Sequence, residues 1–274
     1  TAVVRIPLAD VEKFSEFIHT HFGACGGFID VTEEVQRGKA ASQLVWDERR
    51  QKQIRPTFSA RVIRYRADVH TLVKEANAES IFSFLQELTA FPDRSATTEN
   101  GLKASQFLQS RANALAGSLP GFSTRTVATG TGVYSNQPSV VATLPGTNPS
   151  LPSVVIGGHM DTYTNGKPGA DDDGSGSSVV MEILRSVSAQ KAQFERTIHF
   201  IWYAAEERGL VCSSYVVEDF KQKNIPVEAA VQFDMVGHKS SQDTEDIFFM
   251  TDYTQPELTQ TLRNLLATYT TAKS

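Results

Sequence analysis

Ser153-Val154-Val155-Ile156-Gly157-Gly158-His159-Met160-Asp161, then Ser175 to Ser188, then Thr197-Ile198-His199-Phe200-Ile201-Trp202-Tyr203-Ala204-Ala205-Glu206-Glu207, decides the fold class of this chain. The outer two runs are apolar and rich in β-branched or aromatic residues, the composition of strands covered on both faces. Between them, Val179, Val180, Ile183, Leu184 and Val187 recur at helical spacing behind a Gly-Ser start. Strand, helix and strand make a βαβ unit, because parallel neighbours need a crossover of this length. A third apolar run, Ala229-Ala230-Val231-Gln232-Phe233, extends the sheet. The expectation is an α/β three-layer sandwich: a mixed sheet, parallel at its centre, with helices on both faces.

Each strand ends on a group that can carry chemistry. His159 and Asp161 follow the first, Glu206 and Glu207 the second, and Asp234 the third, while Gly169-Ala170-Asp171-Asp172-Asp173-Gly174 opens the intervening helix. In open α/β sheets ligands bind beyond the carboxyl ends of the strands, and imidazole with carboxylates is the donor set of a hydrolytic zinc centre. Singly, each motif has a plain alternative. His159 reads as a satisfied core histidine, the aspartate run as a solvated turn or calcium loop, and the glutamate pair as the cap of a helix near Ser213. A structural role does not explain why all of them stand at strand ends, so together they favour a metal site.

Length and composition bound the rest. With 274 residues, 40% of them hydrophobic, the chain can bury a full core, as one large domain or as a large one with a small companion. No apolar stretch is long enough to span a bilayer. Thr1 to Arg66 holds eleven Lys/Arg against eight Asp/Glu, a net of +3 within the overall −5, so the remainder carries −8. An acidic body without a basic stripe argues against a nucleic-acid partner, and a basic leader can dock on it electrostatically. Two cysteines, Cys25 and Cys212, are too few for a disulfide scaffold. They form one bridge, or Cys25 offers a thiolate to a metal, or the two are unrelated buried thiols.

The leader reads as a strand at Ala2-Val3-Val4-Arg5-Ile6 and a helix capped by Asp10, with Val11, Phe14, Phe17 and Ile18 on one face. Glu33 to Thr57 is charged and polar, with Pro56 near its end, and reads as a linker or accessible loop. The body begins near Val62, with helices over Ala78 to Phe91 and Leu102 to Ala116 and a further amphipathic helix over Gln255 to Tyr269. The division is therefore residues 1–60 as leader and linker and 61–274 as the main domain.

The ordered set His159-Met160-Asp161, Pro168 to Gly176 with its three aspartates, Tyr203-Ala204-Ala205-Glu206-Glu207-Arg208-Gly209-Leu210, Phe233-Asp234-Met235 and Thr251-Asp252-Tyr253-Thr254 resembles the bacterial leucyl aminopeptidase family of co-catalytic di-zinc exopeptidases. The resemblance implies two zinc ions: His159 and Asp234 on one, Asp172 bridging, Glu207 on the other. It implies Glu206 as general base, Asp161 as the carboxylate that orients the ligand imidazole, a cis peptide between Asp172 and Asp173, and Met235 and Met250 lining the side-chain pocket. Two divalent ions sharing one water lower its pKa from about 15.7 towards 7, so hydroxide is available at neutral pH, and a carboxylate beside it moves the proton.

One departure stands out. The family pattern has a fifth ligand, a later histidine, whereas after Asp234 this chain has only His238, so the second site lacks one protein ligand. The expectation is a C-terminally truncated chain, with His238, His19 and His21 as surface histidines. The resemblance further implies removal of an N-terminal, preferably apolar residue from peptides with a free N-terminus, a secreted or periplasmic location, and a leader acting as a pro-region that docks on the catalytic domain. Competing readings are a glutaminyl cyclase, a metallo-carboxypeptidase or dipeptidase of the same fold, and a metal-poor, non-catalytic binding domain.

Overall fold

The computed structural model describes residues 3–22, 28–40, 44, 63–130, 136–164, 166–238, 247–251 and 254–272. Among these, β1 (Ser123–Val127), β2 (Ser139–Leu144), β3 (Ser153–His159), β4 (Ile198–Tyr203) and β5 (Val227–Gln232) form one sheet in the order β1-β2-β4-β3-β5. Strand β3 pairs parallel with β4 and β5, whereas β2 pairs antiparallel with β4 and β1. The sheet is therefore mixed, with its parallel part centred on the strand that carries His159. Register places His159 opposite Tyr203 and Gly157 opposite Gln232, so the carboxyl ends of β3, β4 and β5 share one crest.

Helices α1 (Val11–Phe22), α2 (Thr32–Gln36), α3 (Ala67–Glu75), α4 (Ala78–Thr89) and α5 (Glu99–Ala116) precede the sheet. Helix α6 (Gly174–Ala189) links β3 to β4, α7 (Val211–Gln222) links β4 to β5, and α8 (Pro256–Tyr269) follows. The period-two alternation of β4 sorts its side chains to opposite faces. Phe200 and Trp202 join the large core with Phe84 and Leu88 of α4, Leu108 and Ala112 of α5, and Val180 and Leu184 of α6. Ile201 points the other way, to Val127, Val141, Val155 and the α7 residues Val216 and Phe220. These two cores make the three layers. Each fully buried leucine contributes about 1.5 to 3 kcal/mol by leaving water.

Trp202 and His199 bring polar atoms into these cores and find partners there. The Trp202 indole N–H donates to the Ser177 carbonyl at 3.0 Å, pinning the first turn of α6 to the sheet. His199 lies within 3.0 Å of Thr143 Oγ1 and edge-on to Phe220. Burial, and then Arg125, lowers its pKa from 6.5 to about 4.

The leader departs from its expected form. Residues 3–7 form no strand: a strand needs a ladder for its backbone groups, and none of the described strands pairs with them. The described leader is helical, so its expected β component is absent there. Its helix buries Ser15 with Val11, Phe14 and Ile18 half-buried beside it, as expected, whereas Phe17 is 45% exposed and stacks on His21, so only Phe17 leaves the expected face. Ser15 Oγ donates to the Glu207 carbonyl at 3.0 Å, and the Asp30 N–H to the Gly209 carbonyl at 2.9 Å. Cys212 is a free, buried thiol. Cys25, offered above as its partner or as a metal ligand, lies outside the described residues.

Candidate metal centre

His159 Nε2 lies 3.0 Å from Asp172 Oδ1 and 3.8 Å from Asp234 Oδ1. One donor atom from each of the three residues falls within 4.8 Å of the others, the one such group of three among the described residues. Tetrahedral ligands on bonds of about 2.0 to 2.1 Å stand about 3.3 Å apart, a separation that the two measured distances bracket. Each ligand arrives from a different element: the end of β3, the turn before α6, and the residues after β5. The chain order that looked like scattered motifs is the order in which the crest is crossed.

The tautomer of His159 follows from its contacts. Its Nδ1 stands 3.1 Å from the Asp161 carbonyl oxygen, and a carbonyl can only accept, so Nδ1 carries the proton. That leaves the Nε2 lone pair directed at the two aspartates. The Asp161 carboxylate is farther from Nδ1, at 3.5 Å. Instead it accepts the backbone N–H groups of Glu206 at 2.9 Å and Glu207 at 3.2 Å. Asp161 thus joins the imidazole to the glutamate pair, through its backbone on one side and its side chain on the other.

The aspartate triplet divides its work. Asp173 is fully buried, and its carboxylate accepts backbone N–H groups of His159 at 3.0 Å, Gly176 at 2.7 Å and Met235 at 3.3 Å. It therefore ties together all three segments that bring ligands. Asp171 accepts from the Gly237 N–H at 2.8 Å. The peptide between Asp172 and Asp173 is cis. Gly176 is required by contact, since a Cβ there would stand 2.4 Å from both Asp173 Oδ1 and the Phe233 carbonyl.

Glu206 and Glu207 form a 3₁₀ turn with Arg208, all three buried. Ala205 before it (φ 49°) and Leu210 after it (φ 58°) adopt left-handed backbone, which costs non-glycine residues energy that surrounding structure must hold. Burial, opposed by His159 and reinforced by Asp161, Glu207 and Asp234, raises the Glu206 carboxyl pKa to about 8. Burial likewise pushes up Asp173 and Asp234. Asp234 Oδ1 and Glu206 Oε2 are buried without a hydrogen-bond partner among the described residues. Anionic groups gathered with such atoms fit a divalent cation, which supplies the compensating charge that hydrogen bonds do not.

The remaining expected residues are more peripheral. Met235 has left-handed backbone (φ 49°) and is 51% exposed, and Met250 is 77% exposed. His238 is exposed, and His21 faces the Phe17 carbonyl; neither enters the three-residue group. Glu207 lies outside that group as well, although Asp161 fixes its backbone beside it. Sequence reading passed over Asp173 as a clamp and Arg94 altogether. The first was masked by its neighbours in the triplet, and the second stands alone in the loop before α5 with no pattern around it.

Comparison with known proteins agrees with this geometry. The family model described as peptidase family M28 matches residues 139–274. A probable leucine aminopeptidase of Trichophyton verrucosum is 32% identical over 257 residues, covering 90% of this chain and 66% of the relative, so the chain spans just under two thirds of that protein. The crystal structure of the Legionella pneumophila LapA aminopeptidase is similar with a TM-score of 0.85 at 34% identity, covering 98% of this chain and 71% of that one. LapB of the same organism follows with a TM-score of 0.81 at 31% identity, covering 97% and 72%. With the sheet shared across nearly its whole length, and a matched region that runs from β2 through every residue of the cluster, this chain belongs to peptidase family M28.

Proposed function

We propose that this chain is a zinc aminopeptidase, hydrolysing the peptide bond after an N-terminal, preferably apolar residue. The observation that carries the proposal is the meeting of His159, Asp172 and Asp234 within 4.8 Å, beside the buried carboxyl of Glu206. In this reading His159, Asp172 and Asp234 would hold one ion, and Asp172 with Glu207 would hold a second with one protein ligand fewer. Zinc held there supplies Lewis acidity towards the scissile carbonyl and makes hydroxide available at neutral pH.

The chain's own residues do the rest. Asp161 and Asp173 hold the three ligand-bearing segments in place through backbone N–H groups. The charge of a bound dication would bring the raised Glu206 pKa back down and keep its carboxylate ionised, so that Glu206 would receive the proton of the attacking water at a carboxylate oxygen and pass it to the departing amine, the ordinary work of a general base turned acid. The acidic surroundings favour a substrate with a free, protonated N-terminus, and the exposed Met235 and Met250 suit an apolar side chain. Residues 61–274 are read as the catalytic domain and 1–60 as a leader. The Ser15 bond to the Glu207 carbonyl supports docking of that leader against the glutamate turn.

Hydrolysis of leucine p-nitroanilide by the purified chain with zinc tests the proposal, an N-acetylated leucine anilide serving as control. Release from the free amine alone is expected. Cleavage of the blocked substrate overturns the need for a free N-terminus and with it the proposal, and a preference for peptides recognised by their C-terminal carboxylate overturns it in favour of the carboxypeptidase reading.

A further inference from the structure

Arg94 is wholly buried. Its guanidinium donates through Nε to the Met160 carbonyl at 2.8 Å, through Nη1 to the Pro168 carbonyl and through Nη2 to the Gly169 carbonyl at 2.9 Å. Met160 follows ligand His159 directly, and Pro168-Gly169 leads into Asp172. One side chain therefore spans the two segments that supply two of the ligands. The Gly169 carbonyl also accepts the Gly174 N–H at 3.1 Å, which carries the constraint into the start of α6.

The residue is itself fixed from both sides. Its backbone N–H donates to Thr162 Oγ1 at 3.0 Å, and its carbonyl accepts from Gln137 Nε2 at 2.9 Å. Its contacts are carbonyls, not carboxylates, so its charge is not spent in a paired salt bridge. Asp173, Asp161, Asp172 and Asp93 all lie within electrostatic reach. Only a planar fork with several donors in fixed directions bridges three carbonyls at once; an ammonium reaches one or two.

We infer that Arg94 is a positioning residue of the metal centre, setting the separation of His159 and Asp172 and so the affinity of the site for zinc. The inference rests on the metal reading above and adds the part that sets its geometry. A purely structural arginine would staple the loop with no effect on the cation beyond general stability.

The test uses the full chain with Arg94→Lys and Arg94→Met. Zinc affinity is measured by competition with a chromophoric chelator, the cobalt(II) visible spectrum is recorded, and melting is followed with and without saturating zinc. Zinc binding 10- to 100-fold weaker in Arg94→Met, a smaller loss in Arg94→Lys and altered cobalt bands are expected. Folded variants with zinc affinity within about twofold of the parent and an unchanged cobalt spectrum, whatever their melting temperature, overturn the role. Where a variant is unfolded alone, recovery of its fold at saturating zinc supports the role and persistent unfolding overturns it. A parent protein that binds no zinc sinks the metal reading itself, whereas a binding parent with unaffected variants removes only Arg94.

Discussion

The carboxylate of Asp161 holds the backbone N–H of Glu206 at 2.9 Å, while the carbonyl of the same aspartate faces Nδ1 of His159. Asp161→Asn leaves that carbonyl in place but gives the glutamate turn one accepting oxygen where it had two. Activity is expected to fall about 10- to 100-fold, with zinc affinity changing less. Steady-state kinetics beside a zinc titration separates the two; an unchanged turnover number would contradict the geometry.

Glu206→Gln keeps the size and most contacts of the side chain but cannot accept a proton. The turnover number is expected to drop by about 10² to 10⁴, roughly 3 to 5 kcal/mol of barrier, with zinc content retained by metal analysis. Near-normal turnover rules out the proton-transfer role.

Zinc should also be a structural asset. A ligand that binds only the folded chain at 100 times its Kd stabilises it by about 2.7 kcal/mol, which is about 5 to 10 °C of melting temperature for a domain of this size. Melting before and after dialysis against a chelator measures this. His159→Ala is expected to lose the difference, and a melting point indifferent to zinc in the parent argues against the cluster as its site.

His199 gives the fold an acid sensitivity apart from the metal centre. Its folded pKa of about 4 lies below the usual 6.5, so between these values the unfolded chain binds the extra proton. Its contribution is complete above about pH 6.5 and is lost as pH falls towards 4, about 2 kcal/mol between pH 7 and pH 5. Urea midpoints at the two pH values measure the slope. His199→Gln should remove that part of it, and an identical slope in the variant would reject the assignment.

The fold was legible where burial on both faces leaves apolar runs. The strands ending at His159, Glu206 and Asp234 and the helix behind Asp173 lie close to where the pattern places them. Strands β1 and β2 were not foreseen: Ser123-Thr124-Arg125-Thr126-Val127 is largely polar, and its membership is decided by pairing with β2, whose own place is decided by pairing with β4. The leader strand failed for the converse reason: the apolar residues over 3–6 pair with no strand among the described residues. At the site, residue types named the ligands, but the division of labour did not follow from types. That Asp173 clamps backbone while its neighbour faces the histidine, or that Asp161 grips the glutamate turn by amides, depends on distances that no spacing encodes.

The grip of Asp173 on three separate stretches has a mechanical side. Strand β5 hangs from a single described neighbour, β3, and half of its residues are exposed and the other half only partly buried. Its far end is anchored by the Phe233, Met235, Val236 and Gly237 amides on Gly157, Asp173, Ser175 and Asp171, and the Asp234 side chain lies at the cluster. An ion shared by His159 and Asp234 would therefore act as a rivet at this margin of the described sheet. Resistance of that margin to fraying, read by amide exchange, becomes a gauge of whether the rivet is in place.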